Sequence, residues 1–174
     1  MIGHIGRFVK QKNHDFLIDI FNDIHKNNNE SILLLIGQGP LLEEIKNKIE
    51  SLGLSDSVRF LGQRNDVNDF YQVMDAFVFP SIYEGLGMVL IEAQCSGLPC
   101  FASTEVPETA KVTDNLIFVS LSQNANVWTN MILKKTGHFS RKSNEKEIKD
   151  SGYDIKEESI KLLNKYYYLI EGGK

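Results

Sequence analysis

The chain has 174 residues and a mass of 19.8 kDa, enough for one domain with a full core, which disfavours a multidomain organisation. Nineteen Lys and Arg against twenty-three Asp and Glu leave a formal charge of −4, so no bulk attraction to nucleic acid or an anionic membrane is expected and any anion site must be local. The longest aliphatic run is Ile32-Leu33-Leu34-Leu35-Ile36 and the only cysteines are Cys95 and Cys100, which argues against a membrane-spanning helix, a disulfide framework and a four-ligand zinc site.

Met1 to Arg7 lacks the basic and long apolar regions of a secretory signal, and with reduced cysteines a cytoplasmic setting is expected. Ile2–Phe8 reads as a first strand. Phe16, Leu17, Ile20, Phe21 and Ile24 then line one helix face up to the polar stop Asn27-Asn28-Asn29. Ile32–Ile36 is a buried strand broken by Gly37-Gln38-Gly39-Pro40, and Leu41, Leu42, Ile45, Ile49 and Leu52 mark the next helix, stopped by Gly53. Val58–Leu61 is a third strand, Asp66–Val73 a short helix with Asp66 as N-cap, and Ala76–Phe79 a fourth strand ended by Pro80. A long helix is expected after the Gly85/Gly87 turn. Leu98–Ala102 and Leu116–Val119 are the fifth and sixth strands, and Asn126–Leu133 a further helix. Strands separated by helices predict an α/β fold: a Rossmann-like, doubly wound parallel sheet of about six strands with helices on both faces. The expected organisation is one domain, 1–174, with a core over 1–134, a polar, loosely held connection over 135–153 and a closing helix over 154–171. Ile160, Leu163, Tyr167 and Ile170 stripe that helix, and its Tyr166-Tyr167-Tyr168 cluster needs a surface to pack on.

Ligands of open parallel sheets bind beyond the carboxyl ends of the strands. After the first strand come Gly6, Arg7 and Lys12, two cations near a helix start, a combination that suits a diphosphate; solvated surface charges are the plain alternative. Gly37 and Gly39 either admit a ligand to the backbone or make a tight turn. Gly62-Gln63-Arg64-Asn65-Asp66 offers an arginine and backbone to a base, or is a plain capped turn. The segment Pro80-Ser81-Ile82-Tyr83-Glu84-Gly85-Leu86-Gly87-Met88 is the most pointed: its glycines expose amides at a helix N-terminus, a phosphate cradle. Glu84 stands at its mouth, and Glu92 projects a second carboxylate from the helix unless it is a surface residue. Two carboxylates beside a phosphate cradle make sense as hydrogen-bond acceptors for hydroxyls, which a nucleotide sugar carries on both sides of its diphosphate. His4, His14, His25 and His138 lack metal-ligand spacing, and no Asp-x-Asp pair is present, so no metal is expected.

The order Gly6-Arg7-Phe8 with Lys12, Leu35-Ile36-Gly37-Gln38-Gly39-Pro40-Leu41, Phe60-Leu61-Gly62-Gln63-Arg64, Pro80 to Gly87 and Ile91-Glu92-Ala93 resembles the group 1 glycosyltransferases, retaining family 4. The resemblance covers roughly residues 3 to 120, and Glu84 and Glu92 have the spacing of that family's paired glutamates. Val106-Pro107-Glu108 and Val112 to Leu116 look like bacterial capsular or exopolysaccharide members. The resemblance implies a GT-B architecture of two Rossmann-like lobes, of which this chain looks like the C-terminal, donor-binding one, without the N-terminal acceptor lobe. It assigns Arg7 and Lys12 to the diphosphate, Glu92 to the ribose and Glu84 to the donor sugar. The backbone of Gly85, Leu86, Gly87, Met88 and Val89 serves the sugar and phosphate, and Arg64 flanks the base; Gly6 and Gly39 belong to the same donor site. The implied partners are a nucleotide sugar, with UDP favoured, and a glycan or lipid-linked acceptor bound by the missing lobe, with peripheral membrane association of the full-length protein and no metal. On that reading the fragment binds donor and transfers little. A non-catalytic nucleotide-sugar-binding module is the alternative, and a sugar-phosphate epimerase or phosphorylase a third.

Overall fold

The computed structural model describes residues 1–137 and 139–171, so His138 lies outside the described residues. Six strands, β1 (Ile2–Ile5), β2 (Leu33–Ile36), β3 (Val58–Gly62), β4 (Ala76–Phe79), β5 (Cys100–Ser103) and β6 (Leu116–Val119), form one sheet in the order β3-β2-β1-β4-β5-β6. Every pairing is parallel, as the alternation of strands and helices demands. Period-two alternation along these strands sends residues to two separate cores. Leu33, Leu35, Ala76, Val78 and Phe101 face one side, where α1 (His14–Asn27), α2 (Leu42–Ser51) and α5 (Ala125–Thr136) bury Leu17, Phe21, Ile45 and Trp128. Leu34, Ile36, Phe77, Phe79, Cys100 and Ala102 face the other, against Tyr71 of α3 (Val67–Val73) and Leu90 and Ala93 of α4 (Met88–Cys95). Two further helices, α6 (Glu145–Ile148) and α7 (Ile155–Ile170), follow.

Several boundaries differ from expectation for identifiable reasons. The first strand ends at Ile5, although Gly6 and Phe8 still donate to Ile36 and Gln38 carbonyls at 2.9 Å as the chain leaves the sheet. The helix after Gly87 is short, eight residues, because Gly97 takes a left-handed conformation (φ +74°) and turns the chain back. Asp66 does not cap α3 with its side chain, which is taken by Arg64 instead.

Among its described residues, the segment over 135–153 holds helical turns and a docked arginine where a loop was expected. Helix α5 runs on to Thr136, and Arg141 then donates to four backbone carbonyls: Tyr71 and Ser96 at 2.7 Å, Gln72 at 3.0 Å and Met74 at 3.3 Å. These carbonyls lie at the C-terminal ends of α3 and α4, where the helix leaves acceptors unfilled. Ile148 of α6 is buried. A guanidinium docked on carbonyls has no hydrophobic period, so the sequence pattern carried no sign of it. Helix α7, capped by Asp154 through the Lys156 and Glu157 amides, buries no side chain, and Tyr166, Tyr167 and Tyr168 are more than half exposed.

Candidate functional site

Strand order reverses between β1 and β4, since the chain leaves β1 toward β2 and leaves β4 toward β5 on the opposite side. A crevice therefore opens beyond their carboxyl ends. The loop after β1 makes a tight turn over Lys10–Lys12 closed by Asn13 (φ +53°), the one non-glycine residue with positive φ among the described residues. The loop after β4 is bound to it: the Ile82 amide donates to the Gln11 carbonyl at 2.8 Å, and the Gln11 side chain donates to the Tyr83 carbonyl at 3.0 Å. Ser103 Oγ donates to the Ser81 carbonyl from β5.

These tethers bring Lys12 and Glu84 together. Lys12 Nζ stands 2.6 Å from Glu84 Oε1 and 4.5 Å from the centre of the Phe79 ring, and the two side chains are only 16% and 7% exposed. A buried carboxylate needs such a partner. Gly87, at φ +75°, caps α4 without any side-chain hydrogen bond, and Gly85 faces open space. The first amides of α4, which begins four residues after Glu84, carry no side-chain hydrogen bond among the described residues, and that is the arrangement an anion uses.

Beneath the pair lie two buried histidines. His4 Nδ1 bonds the Val78 carbonyl at 2.9 Å, and its ring meets His14 edge-on at 4.6 Å, while His14 stacks on Phe8 at 4.1 Å. Burial lowers His4 to about 4, with the Val78 bond opposing and the Lys12 charge assisting. Burial, then His4 and Lys12, lowers His14 to about 2. Both rings are neutral at pH 7, and Lys12 is accordingly the cation of this half of the site.

On the other side, the loops after β1, β2 and β3 enclose a cleft of about 620 Å³ whose lining includes Gly6, Arg7, Gly39, Gln63, Arg64 and Val67. A Cβ on Gly37 would stand 2.0 Å from the Gly6 carbonyl oxygen, and one on Gly39 2.4 Å from that of Phe8. These glycines let the loop after β1 pass against the loop after β2; a tight turn is what they make, with the cleft beyond it. Arg7 is exposed at the cleft. Arg64 makes a two-pronged bond to Asp66 (2.8 and 2.5 Å) and lies 5.2 Å from the Phe70 ring centre. The guanidinium holds the Asp66 carboxyl below its ordinary range.

Glu92 contacts neither, but the cavity it lines adjoins that cleft, since Asn68 of one and Val67 of the other are consecutive at the start of α3. It accepts from the Tyr71 hydroxyl at 2.9 Å and lines a cavity of about 630 Å³ between α3, α4 and the C-terminal segment, together with Met88 and Arg141. The structure thus joins Lys12 to Glu84, gathers Gly6, Arg7, Gly39 and Arg64 around one cleft, and places Gly85, Leu86, Gly87, Met88 and Val89 in the loop that follows Glu84 and the first turn of α4. Gln11, Phe79 and Tyr71 escaped the sequence reading. Each acts through a contact with a residue far along the chain, for which a single sequence has no sign. Among the described residues, no group of three His, Cys, Asp or Glu stands together as metal ligands.

Fold and crevice define a Rossmann-like α/β domain with a cation–carboxylate pair and an uncapped helix start at its topological switch point. The family model for group 1 glycosyl transferases matches residues 1–127, and the chain belongs to that family. It is 36% identical over 169 residues to EpsF of Bacillus subtilis (strain 168), which bears a glycosyltransferase name, covering 95% of this chain and 44% of that one. Among solved structures it is similar to S. aureus TarM in complex with Fondaparinux, alpha-GlcNAc-glycerol and UDP (TM-score 0.75, 24% identity, 94% of this chain and 34% of that one). It is also similar to the C-terminal domain of the group 1 glycosyl transferase LpcC from Francisella tularensis (TM-score 0.67, 22% identity, 88% and 82%). The chain spans less than half the length of the B. subtilis relative.

Proposed function

We propose that this chain is the C-terminal, donor-binding lobe of a retaining GT-B glycosyltransferase that moves a hexose-type sugar from a UDP-sugar to a glycan or lipid-linked acceptor in cell-surface polysaccharide synthesis. The observation that carries this reading is the buried Lys12–Glu84 pair at the switch point, followed four residues on by the uncapped start of α4. Family membership supports transfer, and a UDP complex among the structural neighbours supports the choice of base. The near-complete two-way match to an excised C-terminal domain supports the lobe assignment.

In this reading the base enters the cleft beside Arg64, and Arg7, Lys12 and the amides of Met88 and Val89 hold the diphosphate. Glu84 accepts from donor-sugar hydroxyls and Glu92 from the ribose. During transfer the bond from the anomeric carbon to the diphosphate oxygen breaks, a bond to the acceptor oxygen forms on the same face, and the acceptor's hydroxyl proton passes to the departing diphosphate oxygen. Negative charge grows on the departing diphosphate, and fixed cations and amides aimed at it stabilise that charge without reorganising. The acceptor is held by a partner lobe, so the isolated chain binds donor and transfers little.

The test is calorimetric titration of the folded chain with UDP, GDP and ADP and their sugar conjugates. Saturable binding of one nucleotide, weakened by Lys12→Ala and Glu92→Ala, is expected. Binding unchanged by both substitutions overturns the assignment.

A further inference from the structure

Among the described residues, the Tyr71–Glu92 contact is the one polar link between α3 and the carboxylate assigned to the ribose. Tyr71 is fully buried, edge-on to Phe77 at 5.8 Å, and two acceptors stand within reach of its hydroxyl: Glu92 Oε2 at 2.9 Å and the Val89 carbonyl at 3.2 Å. A phenol has one proton to donate, and the nearer, charged acceptor makes the stronger bond. Burial and the Glu92 charge push the Tyr71 phenol further up from its already high range, so it remains a donor throughout the working pH range. The Glu92 side chain makes no other hydrogen bond or ion pair among the described residues, and its second oxygen is left for a ligand in the cavity that it lines. Helix α3 is itself fixed, because Arg141 holds the Tyr71 carbonyl at 2.7 Å.

We infer that Tyr71 is a positioning residue for nucleotide recognition: it holds one oxygen of Glu92 so that the other meets a ribose hydroxyl. A glutamate in the second turn of a helix samples several rotamers, and pinning it in advance removes that ordering cost from the binding step. The inference rests on the assignment of Glu92 to the ribose and adds how the carboxylate is held there.

The experiment compares UDP with 2′,3′-dideoxy-UDP on the parent chain, Tyr71→Phe, Glu92→Gln and the double variant, by calorimetry, with thermal melting to confirm folding. Tyr71→Phe keeps the buried ring and removes only the donor. It is expected to weaken UDP about fivefold while leaving the dideoxy compound unchanged, and to add nothing in the Glu92→Gln background. A structural role alone would shift both nucleotides together. If Glu92→Gln selectively weakens UDP but Tyr71→Phe weakens both compounds equally or neither, the positioning role is overturned and the ribose assignment stands. If Glu92→Gln shows no selectivity for the hydroxyls, both are overturned.

Discussion

Two halves of the sheet's carboxyl edge each carry a cation beside a carboxylate, and the two pairs are built in opposite ways. On the β1–β4 half, Lys12 and Glu84 lie 72 positions apart, sit almost out of solvent and share the site with the Phe79 ring. On the β2–β3 half, Arg64 and Asp66 are two positions apart, 42% and 45% exposed, and joined within one loop. Water and salt screen the second pair, and either partner is stable alone. In the first, each charge depends on the other or on a ligand that replaces it. The β1–β4 half is thus a preformed charge site, and the β2–β3 half an adaptable rim for a base.

The widest gap between the halves is expected from Lys12→Ala. It removes a cation from the proposed diphosphate site and leaves Glu84 buried without a partner. Affinity for UDP should fall about 100-fold, as for truncation of one member of a buried charge pair. Stability should fall by roughly 3 kcal/mol, at the low end for such pairs because neither side chain is wholly sealed. Calorimetry and urea unfolding measure the two effects, and a loss no greater than that from Arg64→Ala would erase the distinction.

Acid should find the same half first. His4 and His14 titrate in the folded chain at about 4 and about 2, below the ordinary 6.5 that the unfolded chain recovers. Between those values the unfolded state binds more protons, so stability is complete above about pH 6.5 and declines as pH falls toward 4. Each histidine contributes about 1.4 kcal/mol per pH unit on that limb. His14→Phe preserves the stack on Phe8 and should halve the slope. Urea midpoints at pH 7, 6, 5 and 4.5 report it, and an unchanged slope would remove His14 as a source of acid sensitivity.

Glu84→Gln has a smaller, split effect. It frees Lys12 from its charged partner and keeps the shape of the side chain. UDP should bind as well or about threefold tighter, since a phosphate then receives the whole of the cation. The advantage of a UDP-sugar over UDP should shrink, because an amide is a poorer acceptor for sugar hydroxyls than a carboxylate. Paired titrations with UDP and UDP-glucose measure this. Weaker binding of UDP itself would mean that Glu84 supports the phosphate side of the site rather than the sugar.

The two halves also differed in how well they could be read. Strand spacing revealed all six strands, because period-two burial on two faces leaves continuous apolar runs such as Leu33–Ile36 and Ala76–Phe79. Lys12 and Glu84 were legible as residue types at loop positions after strands. Their mutual contact was not, because it depends on how two loops from non-consecutive strands pack, through Gln11, Ile82 and Tyr83. Arg141 and Tyr71 were invisible for a related reason: each bonds groups contributed by other segments, and neither falls in a motif. The helix after Gly87 is shorter than the sequence suggests because a left-handed Gly97 stops it, a conformation that residue type alone permits but does not dictate.

Arg64→Ala is the smallest expected effect and the sharpest check on the comparison. The Arg64–Asp66 bond is local and exposed, so its loss should leave the melting temperature within experimental scatter. Asp66 does not cap α3 through its side chain, so the helix start does not depend on the pair, and freeing that carboxylate can even supply the missing cap. The guanidinium does line the cleft over Phe70, and a base resting on it would lose one stacking face. UDP affinity should therefore fall only about two- to threefold, less than stacking on an aromatic ring contributes elsewhere because the guanidinium is exposed and shared with Asp66. Because the lost term is stacking rather than charge, the loss should persist at 0.5 M salt, where the Debye length is only about 4 Å. A loss that vanishes in salt would instead make Arg64 a phosphate ligand, and the rim would then belong to the same charge site as Lys12.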